Sequence, residues 1–315
     1  MFDRKGLPEK VTVYEVGPRD GLQNENLVLP THQKAKLIRH LVDAGLPAIE
    51  VASFVRPDLV PALADSEELL AELAPLLAGH RMSALVPNQK GLERAISAGV
   101  REIAVFASAT ESFAKANLNN SVAGSLEIFT PVIKQARGAS LQVRGYISMC
   151  FGDPWEGKVK TNQVVDVAER LFADGITELS LGDTIGVATP GDVIDLLDAL
   201  DARGIARSLL AVHFHDTYGQ ALSNALTALL EGITTVDSSI AGLGGCPFAK
   251  SATGNLATED LVWQLHGLGI ATGIDFQKLL NISRWLRDTT GLKIRSKTAI
   301  ALLDNNREED RMVER

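Results

Sequence analysis

Two histidines, His213 and His215, end a short apolar segment, Leu210–Phe214. Residues i and i+2 of a β-strand face the same side, so in a strand both imidazoles would point into one space. Imidazole binds zinc, iron, manganese and other cations, so the pair indicates a metal site without naming the metal. The alternative is one core histidine and one rim histidine bonded to backbone.

Further polar side chains follow other apolar segments. Asp20 offers an oxygen ligand or a base, and Arg19 beside it is a permanent cation with a planar set of donors. The alternative is a surface ion pair in a turn, since Pro18 and Gly21 flank the two residues.

Three more polar residues have both a functional and a structural interpretation. Glu50 and Asp183 are either part of the site or ordinary turn and helix-cap residues. Asn255 either offers an amide oxygen to a metal or caps a helix that starts at Leu256. Two imidazoles, a carboxylate and an amide oxygen favour Mg²⁺ or Mn²⁺ over a structural zinc, which prefers a closed shell of nitrogen and sulfur.

The two cysteines have different surroundings. Cys246 lies between glycines and a proline, where its thiol could act as an acid or a nucleophile, or pack under the loop. Cys150 follows an apolar segment and is interpreted as a packing residue.

Apolar β-branched segments alternate with amphipathic ones along the chain and begin about 21 to 40 residues apart, the size of one βα unit. Eight units in a row predict an α/β fold, a (β/α)8 TIM barrel, in which active-site residues follow the strands. Polar and titratable residues are expected at the C-terminal ends of the strands, and strand starts are interpreted as lacking them. A doubly wound sheet is the alternative, but its glycine-rich phosphate motif is missing. The predicted strands are Val11–Val16, Ala48–Val51, Arg81–Val86, Glu102–Ala107, Gln142–Ser148, Glu178–Leu181, Leu210–Phe214 and Thr234–Ile240.

The predicted helices lie between these strands and often end at glycine. Residues 1–274 are expected to form the barrel, and residues 275–315 a short C-terminal helical extension with a charged tail, packed on the barrel. The predicted helices are His32–Asp43, Asp65–Leu77, Gln89–Ala98, Asn162–Ala173, Gly191–Ala202, Gly219–Leu230 and Ile274–Arg287.

The composition limits the class of protein. The 315 residues are 45% hydrophobic and 22% charged with a net charge of −8, which excludes a disordered chain and makes nucleic acid an unexpected partner. No apolar run reaches the roughly 18–20 residues of a membrane span. Two cysteines and an N-terminus without a signal-peptide core predict a cytoplasmic protein in a reducing compartment.

The sequence resembles the 3-hydroxy-3-methylglutaryl-CoA lyase family, within a superfamily of barrel metallolyases and acyl-CoA-condensing synthases whose domain is pyruvate carboxyltransferase-like. The resemblance runs from about Val11 to Ile274. The segments that match are Val16–Glu25 (VGPRDGLQNE), Ile49–Val55 (IEVASFV), Ser180–Gly186 (SLGDTIG), Val212–Gly219 (VHFHDTYG), Gly242–Lys250 (GLGGCPFAK) and Gly254–Asp260 (GNLATED).

The resemblance implies a role for each singled-out residue. The metal ligands would be Asp20, His213, His215 and Asn255; Arg19 would bind the substrate's thioester oxygen as it becomes an enolate; Cys246 would be the catalytic acid or base; and Glu50 and Asp183 would be supporting catalytic residues near the metal and substrate. It also implies an acyl-CoA substrate, cleavage to acetyl-CoA and acetoacetate as in leucine degradation, and a homodimer.

The same chemistry follows from the residue types. Breaking a C–C bond beside a tertiary alcohol requires a base for the hydroxyl proton, and Asp20 or a histidine of the pair is available. The electrons end as a thioester enolate, whose oxygen needs a cation such as Arg19. The alternatives are a relative acting on another 3-hydroxyacyl-CoA, a condensing synthase, and a non-enzymatic scaffold, which would not need polar strand ends.

Overall fold

The computed structural model describes residues 6–245 and 254–303. Eight parallel strands pair in chain order, and the last pairs with the first to close a barrel, which confirms the predicted TIM barrel. The strands are β1 (Thr12–Glu15), β2 (Ala48–Ser53), β3 (Arg81–Leu85), β4 (Glu102–Ser108), β5 (Gln142–Ser148), β6 (Glu178–Asp183), β7 (Leu210–Phe214) and β8 (Thr235–Ser238).

The helices pack around the barrel, and each buries one apolar side. In α3 the buried side includes Leu92 and Ala95. Residues 297–303 form a further helical segment. The helices are α1 (Thr31–Asp43), α2 (Ser66–Leu77), α3 (Gln89–Ser97), α4 (Glu111–Leu118), α5 (Val122–Gly138), α6 (Thr161–Asp174), α7 (Pro190–Asp201), α8 (Ala221–Leu230), α9 (Thr258–Leu268) and α10 (Phe276–Trp285).

Two helices and a hairpin between β4 and α6 were not among the predicted elements. Helix α5 contains Pro131 and begins and ends with glycine-containing turns, features that lower helix propensity. It forms because Phe129, Val132 and Ile133 are buried against the barrel. The hairpin pairs Gly152–Asp153 with Gly157–Lys158.

Charged side chains occupy the start of several strands, so the interpretation that strand starts lack polar and titratable residues was wrong. Arg81, the first residue of β3, contacts Glu102 at 2.8 Å and Glu178 at 3.0 Å, the first residues of β4 and β6. The Arg144 guanidinium lies 3.9 Å from the centre of the Tyr14 ring. The partners of each charge come from different strands, so no single segment indicates the network.

A buried carboxylate fixes the ends of β1 and β8 relative to each other. Glu15 accepts hydrogen bonds from the backbone N–H groups of Gly17 and Ile240, each at 2.8 Å, and from the Thr258 hydroxyl at 2.6 Å. Burial raises the pKa of Glu15 to about 7 although these donors oppose the shift. The turn that follows β1 is thereby tied to the start of α9.

No helix within residues 6–245 and 254–303 has the length and apolar content that a bilayer crossing needs.

Candidate active site

Three side chains from two strand ends form a cluster at the C-terminal end of the barrel. Asp20 lies in a π-helical turn, Gly17–Gly21, directly after β1, and His213 and His215 lie at the end of β7. One ligand atom from each of the three lies within 4.8 Å of the others. The alternative of one core and one rim histidine does not fit, because His215 is only 4% exposed and the His213 side chain 12%.

Asn255 completes this cluster from the segment before α9. Its side-chain amide donates to Asp20 Oδ2 at 2.9 Å and to the Leu243 carbonyl at 3.0 Å. The alternative of a helix N-cap was wrong, because α9 begins at Thr258 with Ala257 as its N-cap.

Arg19 is buried, so the alternative of a surface ion pair was also wrong. Its Nε donates to Glu50 Oε2 at 2.6 Å, and its Nη1 donates to Asp20 Oδ1 at 2.8 Å. Burial alone would lower the pKa of Arg19, but the two carboxylates outweigh it and raise the pKa above its ordinary value. Burial likewise opposes ionisation of Asp20, yet Arg19 and the two histidines hold the Asp20 pKa below its ordinary value. Arg19 is therefore a fixed cation beside the cluster.

Asp237 on β8 is a functional residue that sequence reasoning missed. It stands opposite His213 in the strand register, and its Oδ2 lies 3.3 Å from His213 Nδ1. A carboxylate on one ring nitrogen orients the imidazole and leaves the other nitrogen for a ligand. Asp237 also accepts from Arg144 at 2.7 Å and from Ser180 at 2.9 Å. The available signal was a lone acidic residue in the strand next to the histidine pair.

A chain of buried contacts joins Asp237 to Glu50 across the barrel. Arg144 Nη1 donates to the Tyr146 hydroxyl at 2.7 Å, and that hydroxyl donates to Glu50 Oε2 at 3.3 Å. Burial raises the pKa of Glu50 although Arg19 and Arg144 oppose the shift. Glu50 therefore contacts Arg19 on one side and this chain on the other.

The remaining singled-out residues have other surroundings. Asp183 accepts the backbone N–H groups of Val187 and Ala188 at 3.0 Å each, as a turn-capping carboxylate does, and burial raises its pKa to about 6. Cys246 lies outside the described residues. Cys150 is buried, which fits a packing role, and burial raises its pKa.

A cavity of about 810 Å³ opens over the cluster. It is lined by Arg19, Asp20, His213 and His215, here called its polar end, and by apolar side chains that include Phe106, Phe113 and Ile128. Cavities of roughly 300–1,000 Å³ are typical of small-molecule sites.

The donors at the polar end fit a divalent cation. Among the described residues, His215 Nδ1 and Asn255 Oδ1 are buried without a hydrogen-bond partner, although buried polar atoms are normally paired. The described donors are nitrogen and oxygen atoms, the types that bind divalent cations.

Known proteins with similar sequences identify the family of this chain. The sequence profile of the HMGL-like family matches residues 10–286. The chain is 50% identical to the mitochondrial hydroxymethylglutaryl-CoA lyase of Rattus norvegicus over 295 residues, 94% of this chain and 90% of that protein. Relatives at this identity are enzymes of the carbon–carbon lyase type, and so is this protein.

Solved structures give the same result. The HMG-CoA lyase of Bacillus subtilis superposes with a TM-score of 0.90 at 44% identity, covering 94% of this chain and 99% of that one. An HMG-CoA lyase from Acinetobacter baumannii, solved with coenzyme A and 3-methylmalate, has a TM-score of 0.86 at 36% identity, covering 96% of this chain and 97% of that one. The barrel, the cluster at its C-terminal end and these matches together establish that this chain belongs to the HMG-CoA lyase family.

Proposed function

We propose that this protein cleaves 3-hydroxy-3-methylglutaryl-CoA to acetyl-CoA and acetoacetate with the help of a divalent cation. The observation that carries the proposal is the contact between a buried Arg19 and Asp20 of the cluster, at the polar end of the cavity. This contact places the Arg19 guanidinium, a fixed positive charge for an enolate oxygen, next to the proposed metal site. The names of the similar proteins support the substrate.

Asp20, His213, His215 and Asn255 would hold the cation, with Mg²⁺ or Mn²⁺ as the expected ion. A bound divalent cation polarises the oxygens that it binds and so acidifies an alcohol. The low pKa of Asp20 keeps its carboxylate charged, and Asp237 keeps the His213 ring oriented.

Arg19 is the group we assign to the developing enolate oxygen. Each of its three guanidinium nitrogens contacts a carboxylate oxygen of Glu50 or Asp20. A guanidinium has five N–H donors, so two remain for a substrate oxygen. Because Glu50 fixes the planar group in advance, no reorganisation is needed when charge develops.

Two proton transfers complete the reaction. The 3-hydroxyl proton passes to Asp20 or to a histidine of the pair, and the C–C bond breaks as its electrons move to the thioester carbonyl. The enolate carbon then takes a proton, and we assign that proton to the Cys246 thiol on the strength of the family resemblance. Glu50 acts by positioning Arg19, and Asp183 by holding the turn after β6.

The cavity favours one alternative substrate class, a different 3-hydroxyacyl-CoA. Phe106, Phe113 and Ile128 leave apolar space that an acyl group larger than methyl could occupy. Mass spectrometry of the products from a panel of 3-hydroxyacyl-CoAs tests both assignments. Acetyl-CoA with acetoacetate from the 3-hydroxy-3-methylglutaryl thioester supports the proposal, and preferential cleavage of another thioester would replace it.

A separate assay with acetyl-CoA and a 2-oxo acid distinguishes a lyase from a condensing synthase. A synthase releases free CoA from these substrates, which a thiol reagent detects, whereas a lyase does not. A homodimer and a cytoplasmic location stay predictions from the sequence; the rat relative is described as mitochondrial.

A further inference from the structure

The C-terminal extension reaches the backbone that carries Asn255. Residues 291–296 run beside the turn after β8, where the N–H groups of Arg295 and Ser296 donate to the Ala241 carbonyl at 2.8 and 3.2 Å. The Ser296 hydroxyl donates to Asp260 at 2.8 Å. Arg295 is thereby fixed at its main chain, although its side chain is 32% exposed.

The Arg295 side chain forms an ion pair with Glu25, a residue that lines the cavity. Arg295 Nη1 donates to Glu25 Oε1 at 2.6 Å, and Nη2 to Oε2 at 3.3 Å. The same Oε1 accepts the backbone N–H of Gly244 at 3.1 Å. The Glu25 side chain is only 9% exposed. Loss of Arg295 would therefore leave the Glu25 carboxylate without its cationic partner among the described residues.

The Leu243–Gly244 backbone lies directly against the cluster. The Leu243 carbonyl accepts from Asn255 Nδ2 at 3.0 Å, which leaves Asn255 Oδ1 free of hydrogen bonds. Gly244 has φ +93°, and a Cβ there would come within 2.9 Å of Asn255 Nδ2 and 3.0 Å of the Gly21 Cα. A shift of this backbone would therefore move the Asn255 amide.

We infer that the Glu25–Arg295 ion pair is a positioning device: it fixes Leu243 and Gly244, and through them the Asn255 oxygen, so the C-terminal extension sets the affinity of the cation site. The inference rests on the proposed metal site, and it assigns a role to two residues that are not among the proposed metal ligands. Groups that hydrogen-bond directly to a metal ligand typically change metal affinity 10–100-fold when altered, so an effect near the lower end of that range is expected for a pair that acts through the Leu243–Gly244 backbone.

The test measures Mn²⁺ binding to the metal-free full-length protein, without substrate, by calorimetry or by the paramagnetic resonance of free Mn²⁺. Arg295→Met should raise the Mn²⁺ dissociation constant about tenfold or more. Glu25→Gln keeps an oxygen for the Gly244 N–H and loses the charge, so it should raise the constant by less. The matched control is Arg207→Met, which removes an ion-paired arginine that precedes β7 at the opposite end of the barrel.

A second arm separates positioning from general destabilisation. In an Asn255→Ala background, Arg295→Met should change the dissociation constant less than about twofold, because coupled residues are not additive. Each of three results would overturn the inference: an Mn²⁺ dissociation constant that is unchanged in Arg295→Met, an equal loss of Mn²⁺ affinity in Arg207→Met, or a full loss of affinity on Arg295→Met in the Asn255→Ala background. A parent protein that binds no Mn²⁺ would overturn it together with the metal site. A parent that binds Mn²⁺, responds to Arg295→Met and leaves HMG-CoA intact would support the inference and reject the proposed function.

Discussion

Replacing Arg19 by lysine keeps the positive charge and removes the planar set of donors. Arg19 contacts Glu50 through Nε and Asp20 through Nη1, at 2.6 and 2.8 Å. A single ammonium on a flexible chain cannot keep both contacts in the same plane and still direct donors at a substrate oxygen. The substitution therefore tests geometry at constant charge.

The expected loss follows from those contacts. Removing one preorganised donor to a developing oxyanion costs roughly 2.7–4 kcal/mol, which is about 10²–10³ in turnover. Lysine still neutralises part of the charge of Glu50 and Asp20, so neither carboxylate is left without a cation. We expect turnover to fall on the order of 10²-fold or more while the protein stays folded.

The assay is steady-state production of acetoacetate from HMG-CoA at saturating Mg²⁺, with thermal unfolding measured on the same preparations. The matched control is Arg81→Lys, which changes an arginine paired with Glu102 and Glu178 at the other end of the barrel. Turnover of Arg19→Lys within about threefold of the parent would remove Arg19 from the mechanism. An equal loss in Arg81→Lys would show that the effect is not local to the site.

The other predictions concern the cation, the histidines, the cysteine and one buried carboxylate. Chelation should abolish activity and Mg²⁺ or Mn²⁺ should restore it; full activity in a metal-free preparation would contradict the N/O site. His213→Ala and His215→Ala should each lower both bound metal and turnover, and the double variant should lose far less than the sum; normal metal content in the single variants would make the pair structural. Cys246→Ser should slow turnover sharply with metal binding intact, and substrate should protect the thiol from alkylation; a serine variant with most of its turnover would indicate packing alone. Burial raises the pKa of Glu259 to about 8 from 4.5, so the folded protein holds a proton that the unfolded chain releases, and the unfolding temperature should fall as pH rises between those values. Glu259→Gln should flatten that fall, and an unchanged slope would refute the assignment.

The barrel and its active-site end were predictable because both depend on local patterns. Spacing of apolar segments indicated eight βα units, and the (i, i+2) rule placed His213 and His215 on one side of a strand. The π-helical turn that buries Arg19 and leaves Asp20 half-buried was not predictable from Gly17-Pro18, which fits an exposed turn equally well. The buried turn differs from an exposed one by a hydrogen bond that the Glu15 carboxylate accepts from the Gly17 N–H.

Asn255 shows why a local rule can fail. A polar residue before an apolar run has the pattern of a helix N-cap. The helix begins only at Thr258, three residues after Asn255. The Leu256 N–H donates to the Phe214 carbonyl, and the Asp216 N–H donates to the Gly254 carbonyl. Residues 254–256 therefore lie beside the end of β7 and are not helical. That pairing joins segments about 40 residues apart, and neither segment alone predicts it.

The charged interior explains why the supporting residues escaped prediction. A buried charge is stable only when it is paired and hydrogen-bonded, and each charged partner here comes from another element of the barrel. Arg144 on β5 contacts Asp237 on β8 and Tyr146, whose hydroxyl reaches Glu50 on β2. Such a set is recognisable only after the barrel has closed.

The same network connects the two groups that the chemistry needs. From Arg19 the contacts run to Glu50, to the Tyr146 hydroxyl, to Arg144, to Asp237 and to the His213 ring. Removing one member leaves its neighbour buried with an unmet charge or hydrogen bond, so the orientation of Arg19 and that of His213 depend on the same set of residues. Since strands that are far apart in sequence supply this set, closure of the barrel fixes the proposed oxyanion donor and the proposed metal ligand together.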